Sequence, residues 1–152
     1  MSAILKGPWS RAEVDEYLAS SVIPLRLACT GKDGFPRVVS VWYLHDDQCL
    51  YCVSHRDSQL IALLRESNRV GFEVAPNEPP YCGVRGQGYA ELREQGAGEI
   101  LEKLLGRYLG GGESKLGQRL LSRRDEEILI TISPQRIFSW DYRERMKGAS
   151  HG

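Results

Sequence analysis

Residues 34–43 read GFPRVVSVWY, and residues 50–59 read LYCVSHRDSQ. Both stretches contain runs of β-branched and aromatic residues, which are favoured in strands. Residues 25–30 alternate between apolar and more polar side chains, and glycines at 31 and 34 supply a turn before the first stretch. The region therefore predicts three consecutive antiparallel strands, with residues 45–47 as the turn between the second and the third.

Helical and strand-like patterns alternate through the rest of the chain. Ser10 and Glu13 have the spacing of a capping box, which predicts a helix to about residue 21. Three glycines at 110–112 are expected to end a later helix. The other predicted elements are a helix from Asp57 to Asn68, a strand at 70–74, a proline-rich loop at 76–80, a strand at 81–92, helices at 96–109 and 115–122, and closing strands at 128–132 and 136–140 separated by Pro134.

This order of elements predicts a mainly β fold with peripheral helices. Six or seven antiparallel strands joined by short turns favour a small barrel over a doubly wound parallel sheet. At 152 residues we expect a single domain over 1–152, with an N-terminal helical segment at 1–22 and a C-terminal tail at 141–152.

Composition excludes several classes of protein. The chain has 20 Lys and Arg against 20 Asp and Glu, so a basic face for gripping nucleic acid is not expected. No apolar stretch approaches the roughly 20 residues needed to cross a bilayer, and no signal pattern is present at the N-terminus. Four cysteines are too few for a disulfide framework. We expect a soluble, cytoplasmic protein with no nucleic-acid or membrane partner.

Familiar catalytic and metal motifs are missing from the sequence. Cys49 and Cys52 have C-x-x-C spacing, but residues three apart on a strand point to opposite faces. His45, His55 and His151 lack the spacing of a zinc site, so no metal is predicted. No nucleophile motif is found, and no catalytic side chain is assigned. Any demanding chemistry is expected to rest with a cofactor.

Polar residues cluster at one strand-to-helix junction. Ser54, Arg56 and Ser58 occur where the strand of 50–53 enters a helix, and backbone donors at such a helix start can hold a phosphate. Helix capping is an equally good explanation for the serines. Arg37 lies within an apolar strand, where a charge usually needs a partner.

Five ordered motifs, in a match that spans about residues 24–140, resemble one family. They are GFPRVVSVWY, LYCVS, RESNRVGF, VRGQGYAEL and PQRIFSWD. Together they resemble the FMN-binding split β-barrel family related to pyridoxamine 5′-phosphate oxidase. The resemblance implies a homodimer with FMN at the interface and hydride transfer between FMN and a small molecule.

The resemblance also implies a set of cofactor-binding residues. Two departures from the oxidases stand out: Trp42 replaces a lysine, and Gln59-Leu60 replaces a basic pair. They argue against pyridoxamine phosphate as substrate and leave two alternatives to an FMN oxidoreductase. These are a reductase using the deazaflavin F420 and a non-catalytic haem or cofactor-binding protein with His45 or His55 as axial ligand. By the same analogy, loop 75–83 and helix 113–122 shape the substrate pocket. The cofactor-binding residues implied are Arg37, Val38, Val39, Ser40, Trp42, Cys52, Val53, Ser54, Arg56, Ser58, Gln59 and Trp140, the last reaching the flavin from the partner chain.

Overall fold

A computed structural model describes residues 2–147 of the chain. It contains eight strands, four α-helices and one 3-10 turn at Arg124–Glu126. The strands are β1 (Ile4–Lys6), β2 (Leu25–Thr30), β3 (Pro36–Val41), β4 (Leu44–Asp46), β5 (Cys49–His55), β6 (Arg69–Val74), β7 (Cys82–Arg93) and β8 (Glu127–Asp141). The helices are α1 (Arg11–Ser20), α2 (Gln59–Glu66), α3 (Ala97–Leu109) and α4 (Lys115–Ser122).

The sheet follows the antiparallel path β3-β2-β6-β7-β8-β5-β4. Strand β1 joins it separately by parallel pairing with β8, with Ile4 opposite Arg136. The 15-residue strand β8 therefore pairs with three strands, namely β1, β5 and β7. The arrangement confirms the predicted mainly β split barrel with flanking helices.

The interior of the barrel holds one apolar core. Alternate residues of each strand point inward because side chains on a strand alternate between its two faces. Helix α2 closes one side of this core through Ile61 and Leu64. The largest fully buried side chains on the strands and the β3–β4 connection are Leu25, Leu27, Tyr43, Leu50, Ile130 and Ile132.

Helix α3 lies on the opposite, outer face of β5 and β8. Its buried side chains Leu101, Leu104 and Leu105 form a separate apolar layer from the barrel core. Helix α4 packs beside α3, after the glycine-rich turn that ends α3. Gly110 has a φ of +76°, a left-handed conformation that favours glycine over other residues. Helices α3 and α4 leave a space between themselves and the strands that they cover.

The C-terminus of α1 is held by two side chains from distant segments. Arg107 of α3 donates hydrogen bonds to the carbonyl oxygens of Leu18, Ala19 and Ser21. The Tyr43 hydroxyl lies 2.7 Å from the Leu18 oxygen, and the Arg107 guanidinium stacks over the Tyr43 ring at 5.0 Å. Because the last carbonyls of a helix have no partner within it, these contacts tie α1 to α3 and to the β3–β4 connection.

Several predicted boundaries are confirmed, and others are wrong. The capping box of α1 and the limits of α4 agree with prediction. The expected turn at 45–47 is wrong, since Leu44–Asp46 is strand β4 and the turn falls at Asp47 and Gln48, which both have positive φ. The N-terminal segment expected to be helical also contains β1. Residues 148–152 of the expected C-terminal tail, which include His151, lie outside the described residues.

The two closing strands predicted around Pro134 form one strand. Pro134 sits opposite Gly88 at a bulge between β7 and β8, where the register shifts by one residue. A bulge leaves one residue outside the regular hydrogen-bond ladder, so proline can be accommodated without ending the strand. This explains why Pro134 does not divide β8.

Within residues 2–147, no helix is both long and apolar enough to cross a membrane. All four cysteines are free.

Candidate functional site

A cavity of about 460 Å³ lies between the outer face of the sheet and helices α3 and α4. Residues 40–42 at the end of β3 and residues 53–55 of β5 line its sheet side. Its helical wall consists of leucines, and two charged side chains also line it. The helical and charged lining residues are Leu101, Leu104, Leu116, Leu120, Arg123 and Glu127.

Four of the predicted cofactor residues meet in this cavity. Ser40 and Trp42 come from β3 and the residue after it, and Val53 and Ser54 come from β5. Two segments that are not adjacent strands of the sheet therefore contribute to one apolar space with hydroxyl groups at its edge. Helix α4, which falls within the predicted helix 113–122, also lines the cavity, whereas loop 75–83 does not.

The start of α2 adjoins the cavity through Ser54. The hydroxyl oxygens of Ser54 and Ser58 are 2.9 Å apart, and Ser58 caps α2 by accepting a hydrogen bond from the Ile61 amide. Gln59 is exposed in the first turn, and Arg56 is exposed in the preceding loop. The capping role predicted for Ser58 is confirmed. The same junction presents hydroxyls and a guanidinium around a helix N-terminus, a combination suited to an anion.

The position of Trp42 is set by α3. Its indole stacks on the Tyr108 ring, with the ring centroids 5.1 Å apart and the planes inclined by 8°. Tyr108 is held in turn, because its hydroxyl donates to the Ile23 carbonyl oxygen at 2.8 Å. A flat aromatic side chain is thus fixed at the edge of the cavity, where it can contact a flat ligand.

Charged groups beside His55, where β5 pairs with the start of β8, are unevenly paired. Glu126 contacts all three nearby nitrogen groups: the Arg56 guanidinium at 3.5 Å, the Arg123 guanidinium at 3.9 Å and the His55 Nε2 at 3.5 Å. Glu127 is more deeply buried, with 8% of its surface exposed. Burial raises the pKa of the Glu127 carboxyl above its usual range, and His55 and Arg123 partly oppose this shift.

The remaining predicted cofactor residues lie elsewhere. Arg37 is 45% exposed at the start of β3 and is 3.5 Å from Asp33 in the preceding turn. It lies three residues from Ser40, about 10 Å along an extended strand. Val39 packs against the barrel core, and the Cys52 side chain is fully buried within it. The Cys52 thiol therefore does not face the cavity, although its backbone lies next to Val53.

Val38 and Trp140 lie on the exposed outer face of the sheet. Val38 is 67% exposed, and Trp140 is stacked with the Arg85 guanidinium at 5.8 Å. The Arg85 guanidinium also lies 5.7 Å from the Phe138 ring on the same face. A surface depression of about 620 Å³, which Val38, Arg85 and Phe138 help to line, runs across it. We call this surface, made of the outward side chains of β2, β3, β6, β7 and the second half of β8, the open face.

Neither candidate haem ligand is a free imidazole in the cavity. His45 Nε2 is 3.7 Å from Asp15 Oδ1, away from the cavity, and burial lowers the pKa of His45. His55 lines the cavity, but its Nδ1 accepts a hydrogen bond from the Asp57 amide. Among residues 2–147, no three His, Cys, Asp or Glu side chains are grouped as metal ligands.

Solved structures with the same fold include proteins named for flavin-type cofactors. A conserved hypothetical protein of Mycobacterium tuberculosis is 26% identical, with a TM-score of 0.75 over 91% of this chain and 88% of its own. An F420 reductase is 21% identical, with a TM-score of 0.69 over 80% of this chain and 94% of its own. A FAD-binding protein of Mesorhizobium loti is 24% identical, with a TM-score of 0.60 over 86% of this chain and 93% of its own.

A further neighbour is a Listeria innocua protein named as a candidate pyridoxamine 5′-phosphate oxidase, 21% identical with a TM-score of 0.61 over 80% of this chain and 90% of its own. The resemblance inferred from the motifs is confirmed at the level of the fold, because the chain shares the split-barrel fold of these proteins. No family model matches the sequence, and no curated protein matches it significantly.

Sequence reasoning missed Glu127 and Arg123, which line the cavity, and Tyr108, which holds Trp42. Glu127 closes the run Arg124-Asp125-Glu126-Glu127, which reads as a solvated charged segment. The available signal is that Glu127 directly precedes the apolar run at 128–132, so its side chain belongs to a strand and to one face of it. Tyr108 and Arg123 carry no comparable signal, because their roles depend on how α3 and α4 pack.

Proposed function

We propose that this protein is a flavin-dependent or deazaflavin-dependent oxidoreductase that acts on a small molecule. The observation that carries the proposal is the single cavity shared by Ser40, Trp42, Val53 and Ser54, beside the helix start at Ser58. The fold is shared with an F420 reductase and a FAD-binding protein, which supports a cofactor of this class.

The residues present suit a cofactor with a flat ring and an anionic tail. Trp42 and Val53 offer apolar contact to a ring, and the leucines of α3 and α4 keep water from its other side. Ser54, Ser58 and Arg56 offer hydroxyl and guanidinium donors to a phosphate at the start of α2. A bound flavin or deazaflavin supplies hydride transfer, and this chain supplies orientation and an apolar surrounding.

The direct test is to purify the protein and titrate it with FMN and with F420. We expect one of the two to bind, with a change in its visible absorption and a rise in Tm. FMN is the leading candidate and F420 the alternative. Binding of neither cofactor would contradict the proposal.

Replacing Ser58 by aspartate should separate the capping role from the anion-binding role. Aspartate is as good an N-cap as serine, so stability should hardly change. Its charge would repel a phosphate at the start of α2, so we expect about a tenfold loss of FMN affinity. Riboflavin, which lacks the phosphate, should bind the variant and the parent equally. Fluorescence titration measures both affinities.

The matched control is Ser10→Asp, which changes the N-cap of α1 in the same way, remote from the cavity. It should leave FMN affinity unchanged. Equal losses for FMN and riboflavin in Ser58→Asp would show that the start of α2 does not hold the phosphate.

We also propose that the functional unit is a homodimer joined through the open face. This face exposes Val38 together with aromatic side chains of β7 and β8, and monomeric proteins seldom leave such a surface uncovered. A second copy there would bring Trp140 of one protomer toward the end of β3 of the other. Arg37 and Val38, which lie outside the cavity of their own protomer, would then contact the cofactor across the interface.

Substitution Val38→Glu tests this interface. A charge at the centre of an apolar contact has no partner there, so we expect the variant to be monomeric at concentrations where the parent is dimeric. Light scattering coupled to size-exclusion chromatography measures the mass. Val22→Glu is the control, since Val22 is an exposed valine in the α1–β2 connection. A monomeric parent, or a dimeric Val38→Glu protein, would contradict the proposal.

A further inference from the structure

The carboxylate of Glu127 has no protein partner among the described residues. Glu127 is 92% buried and lines the cavity. Among residues 2–147, its carboxylate oxygens take part in no hydrogen bond, and no Lys, Arg or His nitrogen lies within ion-pair distance. The carboxylate oxygens are not among the fully buried atoms that lack a hydrogen bond, so they are accessible to a ligand on a residue that lines the cavity.

The arrangement of neighbouring charges keeps Glu127 unpaired. His55 lies directly opposite Glu127 in the β5–β8 pairing, but its Nε2 is directed to Glu126. Arg123, at the end of α4, also contacts Glu126, as does Arg56. Glu126 thus holds the two guanidinium groups and the imidazole that could otherwise pair with Glu127. The carboxylate of Glu127 is left facing the cavity.

The rest of the lining restricts what can approach this carboxylate. Val53 and Trp42 form the sheet side, and Leu101, Leu104, Leu116 and Leu120 form the helical wall. A ligand that fills this space needs an apolar body, because polar groups along it would lose their hydration without replacement. At the Glu127 end it needs a hydrogen-bond donor, and a cationic donor gives the strongest pairing with a carboxylate.

We propose that Glu127 anchors a substrate subsite that binds a flat, apolar molecule through a cationic or N–H donor group. The inference rests on the proposed function, because it assigns the substrate side of the same cavity. An N–H donor on a flat body is also present in a flavin ring, so the test must separate substrate from cofactor.

The test uses two small aromatic probes of opposite charge on the cofactor-free protein. p-Aminobenzamidine carries a cationic amidinium, and p-aminobenzoate is its anionic counterpart of similar size. By calorimetric titration at pH 7, we expect the cation to bind about tenfold more tightly, since a carboxylate pairs with a cationic donor and repels an anion.

The variant Glu127→Gln should lose this preference, and the control Glu126→Gln should keep it. Glutamine has the same shape but no charge, and it removes a buried carboxyl whose ionisation opposes folding. We therefore expect Glu127→Gln to be at least as stable as the parent at pH 7 by urea denaturation. Equal binding of the two probes, or a preference that survives in Glu127→Gln, would overturn the inference. So would a preference abolished equally in Glu126→Gln, because it would then reflect general surface charge.

The pH dependence gives a second readout. Because the pKa of Glu127 is raised above 4.5, its carboxyl becomes protonated while most carboxylates are still ionised. Binding of p-aminobenzamidine should weaken as the pH falls through that pKa in the parent but not in Glu127→Gln. His55, Arg123 and Glu126 face the same end of the cavity, so the difference between the two proteins isolates the contribution of Glu127.

Loading the protein with FMN or F420 shows whether Glu127 binds a donor group of the substrate or of the cofactor ring. Probe binding that persists in the loaded protein supports a substrate subsite. Competition between probe and cofactor would overturn that assignment and give Glu127 to the cofactor ring. A protein that binds a cofactor but does not discriminate between the probes loses only this inference. A protein that discriminates but binds neither cofactor loses only the proposed function.

Discussion

Replacing Gly88 by alanine should lower the free energy of unfolding by about 3 kcal/mol. A Cβ atom at this position would lie 2.2 Å from the carbonyl oxygen of Ser133 and 2.9 Å from the Cα of Pro134. Both are backbone atoms of β8 at the bulge, so neither can move without disturbing the ladder between β7 and β8. Urea denaturation measures the loss directly.

Gly106→Ala is the matched control and should have the opposite sign. Gly106 lies within α3, and nothing stands within 4 Å of the Cβ that alanine would add. Alanine in a helix interior is favoured over glycine by about 0.5–1 kcal/mol, so the variant should be stabilised. Similar destabilisation by both substitutions would show that close backbone approach is not what requires glycine at position 88.

Arg107→Met should cost about 3 kcal/mol of stability. Methionine keeps most of the aliphatic stem but removes the guanidinium, which stacks over the Tyr43 ring and donates to the carbonyl oxygens of Leu18, Ala19 and Ser21. Each hydrogen bond from a charged group contributes about 1.5–3 kcal/mol, and these three are not additive because they share one side chain. The change is measured as a shift in the urea midpoint.

Lys103→Met provides the comparison on the same helix. Lys103 is exposed, and surface substitutions of this kind usually change stability by no more than about 0.5 kcal/mol. A similarly small effect for Arg107→Met would mean that water satisfies the end of α1 and that Arg107 is not its anchor. Arg107→Lys, which keeps one donor group, should fall between the two.

The fold was largely predictable because its patterns are local. The capping box at Ser10, the glycines after α3 and the alternation in β2 each depend on residues close in sequence. Strand β1 was missed, since three residues acquire strand geometry only by pairing with β8. The division of β8 at Pro134 was wrong for a related reason, because a bulge depends on the partner strand.

The candidate site was predictable only in part. Ser40, Trp42, Val53 and Ser54 do meet in one cavity, but Arg37 lies at a distance and pairs with Asp33 in its own turn. An arginine in an apolar strand does need a partner, and the sequence alone does not say whether that partner is a ligand or a neighbouring carboxylate. Glu127 was missed because its burial results from α3 and α4 covering a strand distant in sequence.

The pairing of β8 with three other strands has a consequence for biosynthesis. Synthesis runs from the N-terminus, so β5 and β7 leave the ribosome before the strand that pairs with both. Until residue 141 has been made, each presents an unpaired edge on which another nascent chain could pair. The sheet can close only late in translation. We infer that production of the protein depends on keeping the free edges of β5 and β7 from pairing with other chains until then.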